Sequence, residues 1–174
     1  MSNLDQQKTT LKKTQLSTTC FLRFKDEFLF VFRNKNPKKV DYLRLNGVGG
    51  KVEKGESFLQ CALREVREET GYQPQPNDCR MLAVGHLSGG YLDDWVVGFF
   101  EIKVESKQIP KGTENEEGEL IWMKSSDLLS DEREKVDDLN YIWPRIVEES
   151  GVEFFVAQLD ENEKVETLKW LRSR

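Results

Sequence analysis

The sequence has few of the residues that build many metal and nucleophile sites. It contains a single histidine, His86, so a zinc site rich in imidazole or a catalytic triad with a histidine base would have to form around that one side chain. Its three cysteines, Cys20, Cys61 and Cys79, are odd in number and form no CxxC pair. This count argues against a disulfide scaffold and against a zinc site, and it predicts buried, reduced thiols.

An excess of basic charge and a long apolar run are also missing. The formal net charge is −5 and the calculated pI is near 5.2, which makes duplex DNA or RNA a poor partner because phosphate backbones bind basic faces. No segment has the apolar length of a signal peptide or a membrane span. We therefore expect a soluble, cytoplasmic protein. A phosphate-containing substrate would need metal ions between the like charges.

Length and composition predict one domain. The chain has 174 residues, of which 37% are hydrophobic and 33% charged, enough for one substantial core. Residues 1–15 are polar without periodicity and are predicted to be a mobile tail, followed by a single domain over 16–174. Apolar runs predict strands at 17–24, 28–33, 79–87, 91–106, 120–124 and 152–159, and a helix within 137–150. Strands on both sides of a helix predict an α/β sandwich around a mixed sheet.

The clearest predicted element is a helix that follows the glycine-rich segment 45–56. Ser57 with Gln60 fits a capping box, and Gly71 is a natural C-terminal stop. Between them an apolar stripe recurs at helical spacing, formed by Leu59, Ala62, Leu63 and Val66. The sequence therefore predicts an amphipathic helix placed directly after a tight glycine turn.

This helix gathers carboxylates that repel one another. Glu65, Glu68 and Glu69 fall within about a third of the helix circumference. One interpretation is a solvated face neutralised by Arg64 and Arg67. The other is a site for a hard divalent cation such as Mg²⁺, which prefers carboxylate oxygens, waters and substrate phosphates. Such a site suits hydrolysis of a phosphoanhydride by water, with one carboxylate accepting the water's proton.

The spacing of the segment from Gly50 to Tyr72 resembles the signature of the Nudix hydrolases, GX5EX7REUXEEXGU, in which U is aliphatic. Every fixed position is met, and only Tyr72 departs from the aliphatic preference. The resemblance implies the family's α/β/α sandwich around a mixed sheet. It also implies hydrolysis of a nucleoside diphosphate linked to another group, with Mg²⁺, or Mn²⁺ as an alternative, as the cofactor.

The resemblance also implies roles for single residues. Glu68, Glu69 and the Gly49 carbonyl would bind metal, and Glu65 would be either a metal ligand or the general base. An additional carboxylate ahead of Trp122 would join the metal site, and Glu117 is our choice, with Glu116 as the alternative. Arg64 would orient the carboxylates, while the turn and helix would be supported by Glu56, Gly50 and Gly71.

Flanking segments are similar to those of MutT-type 8-oxo-dGTP diphosphatases. This similarity implies that Asn46, Asp137 and Asp138 bind the base, although Asn46 is equally a common turn residue. Lys135 and Val136 stand where that group has Trp and Pro. Further predicted substrate-binding residues are Arg33 and Lys51, facing the phosphates, and Trp143, the tryptophan best placed to stack on the base.

Three functions remain as hypotheses. The first is a Mg²⁺-dependent hydrolase that converts an oxidised purine dNTP, such as 8-oxo-dGTP, to the monophosphate and pyrophosphate. The second is a Nudix hydrolase for ADP-ribose, nucleotide sugars or capped RNA. The third is a nucleotide-sensing domain without turnover, although the REUXEE core is intact here. The expected partner is a small-molecule nucleotide, and the sequence leaves open whether the protein forms a homodimer.

Overall fold

The computed structural model describes residues 13–90, 93–148 and 150–171. Two short 3₁₀ helices, Pro76–Asp78 and Ser125–Ser130, connect the main elements. The strands and helices are β1 (Thr14–Phe24), β2 (Glu27–Phe32), β3 (Arg44–Asn46), α1 (Phe58–Thr70), β4 (Cys79–Gly89), β5 (Asp94–Lys103), β6 (Glu119–Lys124), β7 (Glu134–Lys135), α2 (Asp137–Glu148), β8 (Glu153–Leu159) and β9 (Val165–Trp170).

The strands form one mixed sheet in the order β7-β3-β2-β1-β5-β4-β8-β9, with β6 paired to β2. The strands predicted at 17–24 and 28–33 are confirmed as β1 and β2, which form an antiparallel hairpin with Leu22 opposite Leu29. Parallel pairing joins β1 to β5, β4 to β8 and β3 to β7. The predicted mixed sheet is therefore correct.

Alternating residues of the central strands supply a core on each face of the sheet. On one face, Cys20 and Leu22 of β1 belong to the cluster that contains Ala62 and Val66 of α1. On the other, Phe21 belongs to the cluster that contains α2. Side chains alternate between faces along a strand, so the two helices enclose the sheet. The result is the predicted α/β/α sandwich.

Three boundaries differ from the sequence prediction. Thr14 and Gln15 were placed in the tail but pair with Asp94 and Trp95 of β5; residues 1–12 of that tail lie outside the described residues. The strand predicted to begin at residue 91 begins at Asp94. Residues 91–92 lie outside the described residues. The predicted last strand is followed by β9, which pairs antiparallel with β8.

Local signals define α1 as predicted. The Ser57 side chain accepts a hydrogen bond from the Gln60 N–H at 3.3 Å, and the Gln60 side chain accepts one from the Ser57 N–H at 2.8 Å. At the other end Gly71 adopts φ +80 in the left-handed region, where a side chain would be strained. These two ends fix where the carboxylates of α1 lie along the chain.

The glycine turn before α1 is fastened to β1. The Thr18 N–H donates to the Gly50 carbonyl at 2.9 Å, and the Val52 N–H donates to the Leu16 carbonyl at 2.9 Å. The turn is therefore bridged to β1, an interior strand of the sheet, and its backbone lies beside α1. Within the described part of the chain, no helix is long and apolar enough to cross a bilayer.

The predicted reduced thiols agree with the structure. Cys20 and Cys61 are buried, Cys79 is partly buried, and all three are free. Burial raises the pKa of each thiol.

Candidate active site

A cavity of about 1010 Å³ collects most of the predicted site residues. One set of lining residues comes from the glycine turn, α1 and the loop before β6, and it is acidic and polar: Gly49, Gly50, Glu65, Glu68, Glu69, Asn115, Glu116 and Glu117. We call this set the acidic end. A second set contains apolar residues of the α2-side core and a few polar groups: Asn46, Leu87, Trp95, Val97, Phe99, Val136, Asp137, Asp138, Leu159 and Glu163. We call this set the apolar end.

Arg64 organises the carboxylates of the acidic end. Its Nε and Nη2 donate to the two oxygens of Glu56 at 2.7 and 2.9 Å, and Nη1 donates to Glu65 at 2.7 Å and to Glu68 at 3.3 Å. The paired contact lowers the pKa of Glu56 to about 2. Arg64 Nη2 also donates to the Lys51 carbonyl at 3.1 Å. One guanidinium thus joins the turn, the helix and two of the predicted metal ligands.

Glu69 is the most enclosed carboxylate of this end. Burial raises its pKa to about 7, against the opposing effect of a hydrogen bond from the Gly49 N–H. That N–H donates to Glu69 Oε1 at 2.7 Å, and Asn115 Nδ2 donates to Oε2 at 3.0 Å. The carboxylate is therefore held at both oxygens. A cation beside it would favour its ionised form.

Gly50 is required by the close approach of α1. A Cβ at this position would overlap the Glu65 carboxylate. Any larger residue would displace Glu65 or the turn itself. The glycine of the signature therefore has a steric role at the site.

Glu117 forms ion pairs with two cationic side chains. Arg33 Nη1 lies 2.7 Å from Glu117 Oε2, and Lys39 Nζ lies 2.6 Å from the same oxygen. Arg33 Nε is also 2.9 Å from Asp41 Oδ2. Glu116 lines the cavity as well, so Glu117 and Glu116 both remain predictions for the additional metal ligand. In this arrangement both oxygens of Glu117 lie within reach of a cation, Arg33 or Lys39.

The donor set fits a hard divalent cation. Carboxylates from one helix face and a backbone carbonyl of the adjacent turn are the oxygen ligands that Mg²⁺ takes. Among the described residues, no three His, Cys, Asp or Glu side chains already converge closely enough to hold a metal ion, and Arg64 contacts both Glu65 and Glu68. The chemistry of the donors, rather than a formed cluster, supports the predicted metal site.

Asp137 and Asp138 lie at the start of α2 beside the apolar end. Asp137 Oδ2 accepts a hydrogen bond from the Val165 N–H of β9 at 2.7 Å. Burial raises the pKa of Asp138 to about 6, and the neighbouring Asp137 adds to the increase. The protonated form, which the raised pKa favours, can both donate and accept hydrogen bonds. Asn46 also lines the cavity, and its Oδ1 accepts from the Gly47 N–H at 2.8 Å, as in an ordinary turn.

Lys51 and Trp95 lie together on the cavity wall. Lys51 Nζ is 5.2 Å from the Trp95 ring centroid. Trp95, Val97 and Phe99 all line the cavity, and their spacing of two along β5 is a signal that sequence reasoning missed. Other lining residues that the sequence analysis did not single out are Arg44, Asn115, Leu159 and Glu163.

Trp143 was predicted to bind substrate, and this is wrong. Its side chain is 1% exposed and packs edge-on against Phe21, Phe28 and Phe30. Its indole N–H donates to the Ser125 carbonyl at 3.1 Å. Trp143 is a core residue of the α2 face, because it belongs to the buried stripe of that helix.

The structure is an α/β/α sandwich in which an acidic helix directly follows a glycine turn. The family model of the NUDIX domain matches residues 13–143, and the chain belongs to the Nudix family. It is a Nudix hydrolase. Members of this family generally use divalent metal ions and act on small-molecule nucleotides.

Solved structures share the fold. A mutator MutT protein from Bacillus halodurans superimposes with a TM-score of 0.76 at 18% identity, covering 92% of this chain and 99% of that chain. A MutT protein from Methanosarcina mazei Go1 gives 0.61 at 22% identity, covering 79% and 98%. A NUDIX hydrolase from Nitrosomonas europaea gives 0.61 at 16% identity, covering 85% and 81%. At these identities the likeness extends to the fold alone.

Proposed function

We propose that this Nudix hydrolase cleaves a nucleoside triphosphate to the monophosphate and pyrophosphate, with an oxidised purine dNTP such as 8-oxo-dGTP as its preferred substrate. The observation that carries the proposal is the two-ended cavity. Carboxylates suited to a divalent metal lie at the acidic end, and apolar walls with two aspartates lie at the apolar end. A triphosphate joined to a flat, partly polar base has matching chemistry along its length.

At the acidic end, the triphosphate would lie between the α1 carboxylates and the cations Arg33 and Lys51. A bound Mg²⁺ would neutralise phosphate oxygens and stabilise the leaving group. Water attacks one of the two phosphorus atoms of the α–β bridge, the bond from that atom to the bridging oxygen breaks, and the monophosphate and pyrophosphate separate. The water's proton passes to a carboxylate of α1; Glu65 serves either in this role or as a metal ligand. Arg64 holds the carboxylates in place throughout.

At the apolar end, the base would lie against the walls formed by Trp95 and Phe99. Asp138, whose raised pKa of about 6 favours its protonated form, and the neighbouring Asp137 would offer a donor and an acceptor to the purine edge. Asn46 also lines the cavity, and its side-chain amide would add a further contact to the base. An oxidised purine differs from the normal base in its donors and acceptors, so such groups can select it.

The test is turnover with Mg²⁺ on a panel containing 8-oxo-dGTP, other modified and normal dNTPs, ADP-ribose and a nucleotide sugar, with products identified by mass. We expect selective conversion of 8-oxo-dGTP to its monophosphate and pyrophosphate. Preference for ADP-ribose or a sugar nucleotide would retain the Nudix chemistry and overturn the base assignment. Absence of turnover on all of them would favour a nucleotide-sensing role.

The metal assignment needs matched variants. Glu68→Gln should remove turnover with little loss of stability, because this side chain is 60% exposed and exposed residues contribute little to core packing. Glu166→Gln is the control, since Glu166 is exposed on β9 and does not line the cavity. Wild-type turnover in Glu68→Gln would contradict the metal site.

A further inference from the structure

We propose that Asn115 is a positioning residue for the hydrolysis, because its side-chain N–H holds the Glu69 carboxylate in the orientation that the acidic end requires. The proposal rests on the role proposed above for Glu69. Asn115 lies outside the glycine turn and α1, and it enters the cavity from the loop between β5 and β6.

The two ends of the Asn115 side chain have different partners. Nδ2 donates to Glu69 Oε2 at 3.0 Å. Oδ1 accepts from the N–H groups of Glu117 and Gly118, each at 2.9 Å. One amide thus fixes the fold of the loop through its oxygen and contacts α1 through its nitrogen. The two functions reside on different atoms and can be separated by mutation.

The contact with Glu69 completes a clamp. The Gly49 N–H holds Oε1 at 2.7 Å from the glycine turn, and Asn115 holds Oε2 from the opposite loop. Two neutral donors restrict the rotation of the carboxylate without neutralising its charge, which leaves it able to attract a cation. A cation such as lysine at position 115 would hold the carboxylate equally well but would compete with the metal.

Asparagine also links the loop that carries Glu117 to α1. The hydrogen bond from the Glu117 N–H fixes the backbone of the candidate additional ligand, while Nδ2 fixes Glu69. The orientation of one carboxylate and the position of the other therefore depend on a single side chain. Loss of the Nδ2 donor should reduce the rate more than it reduces nucleotide binding, since Asn115 acts through Glu69.

Asn115→Asp separates the two functions. It keeps an oxygen to accept the Glu117 and Gly118 N–H groups but replaces the donor with an oxygen that repels Glu69. We expect kcat to fall about tenfold or more, the loss expected for a hydrogen bond to a charged group, with KM for the nucleotide changed by less than about threefold. The Mg²⁺ concentration that gives half-maximal rate should also change.

Asn36→Asp is the matched control. Asn36 is an exposed loop asparagine whose Oδ1 accepts the Lys38 N–H at 3.1 Å, so the substitution adds the same charge and keeps the same kind of loop contact. Its kcat should stay within about twofold of wild type. Thermal melting should show that Asn115→Asp is folded.

Four results would overturn the proposal. Wild-type kcat in Asn115→Asp together with a defect in Asn115→Ala would mean that only the loop contacts matter. An equal loss in Asn36→Asp would mean that added charge, rather than the lost donor, is responsible. Full turnover in Glu69→Gln would remove the role of Glu69, and the proposed metal site with it. An inactive Glu69→Gln beside an active Asn115→Asp would refute the Asn115 proposal alone.

Discussion

Asp138→Asn should stabilise the protein above neutral pH. The substitution removes a charge from the apolar end while nearly keeping the side-chain shape. Asp138 Oδ1 accepts the Leu139 N–H at 3.1 Å, and an asparagine oxygen can do the same. Burial and the nearby Asp137 charge raise the pKa of Asp138 from 3.8 to about 6, so the ionised form is disfavoured in the folded protein.

The expected size follows from that pKa. Between the unfolded and the folded pKa of Asp138, this group binds more protons in the folded protein than in the unfolded chain. The free energy of unfolding therefore falls as pH rises through this window, and the loss is complete above it. Each pKa unit corresponds to about 1.4 kcal/mol, which sets an upper limit of about 3 kcal/mol for the shift. Water in the open cavity lowers the penalty, and we expect Asp138→Asn to gain about 1–3 kcal/mol at pH 8. Near pH 4 the gain should vanish.

Thermal unfolding of both proteins across this pH range is the assay. A gain of this size raises Tm by about 3–9 °C for a chain of this length. Asp26→Asn is the control, since the Asp26 side chain is 70% exposed, and it should change Tm little at any pH. A variant that is less stable than wild type at pH 8, or a difference that does not depend on pH, would refute the reasoning.

Further substitutions test the architecture of the site and of the core beside it. Arg64→Lys loses the forked contact and should lower kcat about 100-fold in steady-state assays, and a near-normal kcat would contradict its orienting role. Gly50→Ala should lower kcat at least about tenfold by displacing Glu65, whereas Gly151→Ala, where a Cβ meets no atom within 4 Å, should be silent in the same assay. Trp143→Ala should lower the free energy of unfolding by about 3–5 kcal/mol in chemical denaturation. Trp143→Phe should leave KM unchanged because the side chain is buried in the core; a raised KM would indicate that it contacts the substrate.

Local signals made α1 predictable. Ser57 and Gly71 act on backbone groups within a few residues of themselves, and the carboxylate spacing follows from the helix repeat. The β1–β2 hairpin was predictable for the same reason, because its turn and both strands are adjacent in sequence. β3 and β7 contain three and two residues, too few to show a periodic pattern.

The Trp143 error has a physical cause that the sequence contained. Leu139, Ile142, Trp143 and Ile146 recur at helical spacing and are the buried residues of α2. The aspartates lie at the start of the helix, where side chains still face the cavity. Trp143 is close in sequence to Asp138, but its position in the helical repeat directs its side chain into the core rather than toward the cavity.

The apolar end was only partly predictable because it is assembled from distant segments. Asn46 comes from β3, Trp95 from β5 and Asp138 from α2, while Leu159 and Glu163 come from the β8–β9 hairpin. Loops of different lengths separate these segments, so no fixed spacing links their residues. The family match ends at residue 143, before the hairpin begins. The acidic end lies within the matched region, whereas Leu159 and Glu163 of the apolar end come from a hairpin outside it, so the family match carries less information about that part of the cavity.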